Sequence, residues 1–139
     1  MINKVYMRKL LKKSKIMLLR NEPINPTYFI RPRGNKKQVI IFSPSWDSPE
    51  TKNTKLQELR EICSQVNANQ VTMVSDCHLH GDSLPFSDGL CVTVEEAERF
   101  QIVMLPYARN PEGKVIFDKE IWENRNTKHP DALSEGLVQ

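Results

Sequence analysis

Apolar positions first recur with a helical period over residues 4–19. Met7, Leu10, Leu11, Met17 and Leu18 form one stripe, and Lys4, Arg8, Lys12 and Lys15 supply the polar side, which predicts an amphipathic helix. Pro23 and Pro26 bound it, because proline lacks the amide hydrogen that a continuing helix needs. The period then drops to two. Thr27–Arg31 and Gln38–Phe42 read as arms of a hairpin around Gly34-Asn35, where glycine supplies the positive φ of a tight turn.

A second helix is marked over Pro49–Val66. Asp47 or Ser48 caps it, Pro49 suits its first position, and Glu50 favours the positive end of the dipole. Leu56, Leu59, Ile62, Cys63 and Val66 make its stripe, and Asn67-Ala68-Asn69 stops it. Gln70–Asp76 is β-branched and reads as a central strand. Leu90, Val92 and Val94 alternate with Cys91, Thr93 and Glu95 in a half-buried strand, and Phe100–Tyr107 follows across a short link. Asn110-Pro111-Glu112-Gly113 has the pattern of a type I turn leading to a strand at Val115–Phe117. A short closing helix is expected near Ile121–Asn124, followed by a polar tail over 124–139.

The main elements are expected in the order α-β-β-α-β-β-β, with Val115–Phe117 pairing back as a short final strand. Consecutive strands on short links pair antiparallel, which predicts an α+β class with a five-stranded sheet in a single domain over residues 1–123. That order is similar to the small roadblock and longin-type scaffolds, a likeness of element order alone, to which no function attaches.

Charge changes this picture more than composition does. Apolar residues at 39% and charged residues at 27% are ordinary for a chain with one modest core. The net charge of +3 conceals a split: residues 1–40 hold eleven Lys or Arg against one acid, Glu22, and the other 99 hold nine against sixteen. Such a split implies an anionic partner, or neutralisation of one half by the other within the fold. No apolar run approaches the roughly 20 residues needed to cross a bilayer. Ile16–Leu19 is too short for a secretory core, so a cytoplasmic chain is expected. Cys63, Cys77 and Cys91 form no CxxC pair and read as reduced thiols. Phosphate-binding glycine loops and the GxSxG elbow are absent from the sequence.

One constellation has chemical content. Asp76, His78 and His80 lie two apart and share one side of an extended chain, with Asp88 downstream, a donor set that suits Zn²⁺ or another divalent ion. The pattern D-x-H-x-H with a later S-D-G resembles the opening metal motif of the amidohydrolase and polymerase-and-histidinol-phosphatase families. That resemblance implies metal ligation by the histidines and hydrolysis by a metal-bound hydroxide. Barrels of that kind run to about 250 residues, whereas 59 residues follow His80, and His129 alone remains of the further histidines. The plainer reading leaves a solvated loop whose histidines bond to Asp82 and Asp88. A thiolate at Cys77 stabilised by His78 is disfavoured, because neighbours on a strand point to opposite faces.

The second candidate is the basic arm. Lys4, Arg8, Lys9, Lys12, Lys13, Arg31, Arg33, Lys36 and Lys37 are placed to follow a phosphate backbone, with Tyr28 or Phe29 to stack on bases. The competing reading packs the arm on the acidic body, its lysines extending past a buried stripe. The expectation is a non-enzymatic module that binds nucleic acid or an acidic protein without a cofactor. The alternatives are a metal-dependent hydrolase on Asp76, His78, His80 and Asp88, and a structural or oligomerising subunit.

Overall fold

The computed structural model describes residues 3–34, 38–78, 86 and 88–125. The elements follow in the order α1 (Lys4–Leu19), β1 (Thr27–Pro32), β2 (Ile40–Phe42), α2 (Pro49–Val66), β3 (Ala68–His78), β4 (Asp88–Glu95), β5 (Phe100–Arg109), β6 (Val115–Phe117) and β7 (Ile121–Arg125). The class is α+β, and every strand pairing is antiparallel. The sheet has seven strands rather than five, in the order β2-β1-β3-β4-β5-β6, with β7 also paired to β5.

β6 is the strand expected at Val115–Phe117, β7 is the unexpected one, and both pair with the outer edge of β5. β6 covers Tyr107–Arg109 of β5, and β7 covers its first half, Phe100–Met104. The expected closing helix at Ile121–Asn124 is therefore a strand. A ten-residue β5 left with an open edge would expose a row of unpaired backbone groups, and β7 satisfies them. Asn124 and Arg125 belong to this strand and not to a tail, and residues 126–139 lie outside the described residues.

Local chemistry explains the helices. Ser48 Oγ accepts a hydrogen bond from the Thr51 N–H at 3.1 Å, so Ser48 is the cap of α2, and Asp47 Oδ1 accepts from the Thr51 hydroxyl at 3.0 Å. Asn67 closes α2 in the left-handed region at φ 53°. α1 stops before either proline. Asn21 turns left-handed at φ 57°, and the Glu22 N–H reaches back to the Met17 carbonyl at 2.9 Å. At its other end the Asn3 side chain makes no cap. It donates instead to Gln101 Oε1 at 2.8 Å, which fixes α1 against β5.

Strand alternation divides the sheet into two faces, each with its own core. On one, Met7, Leu11 and Leu18 of α1 pack on Val74, Leu90, Val92, Val94, Val103, Leu105 and Tyr107. On the other, Leu56, Leu59 and Cys63 of α2 pack on Tyr28, Ile30, Ala68, Val71 and Met73. The helices thus lie on opposite faces, α1 over the middle of the sheet and α2 over β1 and β3. Beyond α2, Ile102 and Met104 of β5 are left half-buried.

Truncating a fully buried side chain removes its transfer energy and leaves a cavity. Met7→Ala and Leu59→Ala should each cost about 2–5 kcal/mol in urea unfolding. Ile41→Ala, at a site 65% exposed, should stay within about 0.5 kcal/mol. Equal losses at all three would contradict the assignment of the two cores.

Candidate functional site

The basic arm is an ordered helix with two kinds of cation. Those flanking its buried stripe fold back on the body. Lys4 Nζ lies 5.3 Å from the centre of the Trp122 ring and the Arg8 guanidinium 5.4 Å from it, while Arg8 Nη2 also pairs with Glu120 Oε1 at 3.3 Å. Lys15 Nζ stands 4.6 Å over Phe117. Those on the outward ridge behave differently. Lys9, Lys12 and Lys13 are exposed, and none of them takes part in an ion pair among the described residues. At spacings of three and four residues, Lys9 neighbours Lys12 and Lys13 at about 5–6 Å on the helix surface, the latter two flanking it.

The hairpin contributes one further cation to this face. Arg31 lies 5.7 Å over the Tyr6 ring, so β1 and the first turn of α1 meet there. Asn3, Tyr6, Arg31, Pro32, Gly34, Asn69 and Gln70 line a concavity of about 790 Å³ beside that contact. Arg33 is exposed at the turn, its N–H donating to the Asn67 carbonyl at 3.1 Å. Lys36 and Lys37 lie outside the described residues. The expected stacking platform does not form at Tyr28, whose ring is buried against α2; β1 alternation sends it into that core. Phe29 is half-buried and packs on the α1 core instead.

The second candidate sits where β3 ends and β4 begins. Asp76 and His78 share the α1 face, as the spacing of two requires. The Tyr107 hydroxyl donates to Asp76 Oδ1 at 2.7 Å, and His78 Nδ1 lies 2.7 Å from Asp88 Oδ1 with the imidazole 83% exposed. Asp76 and His78 are thereby held by separate partners. Among the described residues no three His, Cys, Asp or Glu side chains gather to hold a metal ion, and His80 lies outside them. Partial desolvation at the strand end raises the Asp76 carboxyl above its ordinary range. The Tyr107 hydrogen bond works against that rise, and the Asp88 charge adds to it. Burial, the bond to Asp76 and the nearby carboxylates push the Tyr107 phenol up as well.

Tyr107 and Trp122 carry no local signal that marks them in the sequence. Tyr107 reaches Asp76 from two strands away, and Trp122 stands on a strand whose local pattern suggests a helix. Comparison with protein families, curated proteins and solved structures finds no match to this chain. The likeness in element order to roadblock and longin-type scaffolds thus has no structural match behind it.

The Asp76 titration is a direct readout of this cluster. Its midpoint should lie above the ordinary aspartate value in carboxyl NMR, and Tyr107→Phe should move it further up by removing a donor to the charged form. A folded pKa above the unfolded one means that Asp76 favours the fold in acid, and that this contribution falls away as pH rises through its titration. Asp76→Asn should therefore flatten stability against pH in that window. A midpoint at or below the ordinary value would show that the Tyr107 hydrogen bond outweighs desolvation and would contradict the expected direction.

Proposed function

We propose that this protein is a non-enzymatic binding module that contacts the phosphate backbone of nucleic acid through the outward ridge of α1. One observation carries the reading: the two helices occupy opposite faces of one sheet and differ completely in charge. α1 holds six Lys or Arg and no acid, whereas α2 balances Lys52, Lys55 and Arg60 against Glu50, Glu58 and Glu61. Cations that only neutralised the acidic body would turn inward, as Arg8 does to Glu120. Lys9, Lys12 and Lys13 turn outward, on the face that also carries Arg31.

The apolar stripe of α1 is already buried in the sheet. The apolar residues α1 leaves exposed, Val5, Ile16 and Leu19, stand among lysines and form a thinner surface than a membrane-inserting helix needs, which favours a partner met mainly through charge. The hydrolase reading draws less support, because Tyr107 engages Asp76 while Asp88 engages His78.

Fluorescence anisotropy of labelled DNA and RNA across a salt series tests the proposal. Micromolar binding with a steep negative salt slope is expected. The Lys9→Gln, Lys12→Gln, Lys13→Gln triple variant should weaken binding and reduce the slope by about 2–3, roughly 0.7–0.9 for each phosphate no longer neutralised. Absence of binding at low salt, or a triple variant that binds like the parent, would refute it.

A further inference from the structure

Cys77 and Cys91 are the nucleophilic groups that the proposed interface leaves unused. The β3–β4 register sets Ser75 opposite Cys91 and Cys77 opposite Gly89. Ser75, Cys77 and Cys91 therefore share the face away from α1, with the two cysteines diagonal to one another. Because Gly89 has no side chain, nothing stands directly across from Cys77. Its sulfur lies 3.3 Å from Ser75 Oγ, and Cys91 is its diagonal neighbour on the same face. α2 covers Tyr28, Ile30, Val71 and Met73 and stops short of this end of the sheet, so both cysteines are partly exposed. Cys63 is the contrast: it is buried under α2, where desolvation and the Glu95 charge push its thiol up to about 11.

We infer that Cys77 and Cys91 form a reversible oxidation site for hydroperoxides, with Cys77 the attacking sulfur and Cys91 the resolving one. The roles follow from the asymmetry of the pair. Ser75 Oγ stands 3.3 Å from the Cys77 sulfur and can donate to a thiolate there, which favours Cys77 as the charged, attacking sulfur. The Cys77 thiolate attacks one peroxide oxygen. An S–O bond forms, the O–O bond breaks, and hydroxide or alkoxide departs, leaving Cys77 as a sulfenic acid. The Cys91 sulfur then attacks the Cys77 sulfur. An S–S bond forms, the S–O bond breaks, and water leaves with the Cys91 proton. Two thiols have supplied the two electrons that reduce one peroxide. Diagonal positions lie about 7–8 Å apart, beyond the usual Cα span of a disulfide, so closing the bond draws β3 and β4 together there, and the strained bond is readily reversed by an added dithiol.

The test is peptide mapping and intact mass of the full chain after treatment with hydrogen peroxide in small excess. The parent and Cys63→Ser should each lose two hydrogen atoms, yield a peptide linked through Cys77 and Cys91, and recover with dithiothreitol. Cys91→Ser should instead accumulate a Cys77 sulfenic acid that dimedone captures, and Cys77→Ser should do neither. A link through Cys63, a product made only of disulfide-linked dimers, or Cys77 oxidised no faster than Cys63 would each overturn the inference. The map of the parent chain decides the matter even where a variant fails to fold, as circular dichroism would reveal.

Discussion

The antiparallel ladder between β3 and β4 is the constraint from which the rest follows. It pairs eight consecutive positions, from Val71 with Glu95 to His78 with Asp88. β3 and β4 lie inside the sheet, so two helices are needed to cover its two faces, and the chain supplies one for each. The same alternation sends Asp76 and His78 to the α1 face and Ser75 and Cys77 to the other. A slip of one residue would exchange them and turn Val74 and Val92 out of the core as well. Fold and chemistry are thus fixed by one register.

Magnitudes show what holds α1 in place. Burying Met7, Leu11 and Leu18 contributes about 1.5–3 kcal/mol each. Its cation–ring contacts to Trp122 and Phe117 are worth about 0.5–1 kcal/mol each at exposed sites. The half-exposed Arg8–Glu120 pair adds at most about 1 kcal/mol. Burial dominates, and the six cations are carried by a helix that does not need them for docking. Lys9, Lys12 and Lys13 contribute nothing to that docking and stand exposed on the outward side.

Much of this fold is legible in the sequence, and what is not has a common cause. Both helices can be read because their signals are local: an apolar period, Ser48 before Pro49, and Asn67 at the stop. The split between the basic segment and the acidic remainder is plain arithmetic. Which cations face the body is hidden, since that depends on Glu120 and Trp122 beside and within β7. Five residues of β7 are too few to distinguish a strand from a helix by period, and only the open edge of β5 decides it. The Tyr107–Asp76 bond and the Cys77–Cys91 pair are hidden for a related reason. Both depend on register across the segment between β3 and β4, and no residue spacing announces it.

Amide chemical-shift mapping of the isotope-labelled chain, titrated with a single-stranded oligonucleotide at low salt, tests the central claim most directly. The account predicts shifts along α1 at Lys9, Lys12 and Lys13 and around Arg31, with α2 and the Cys77–Cys91 end of the sheet undisturbed. Shifts centred on α2 or on the cysteine face, or a spectrum that does not change at all, would contradict it.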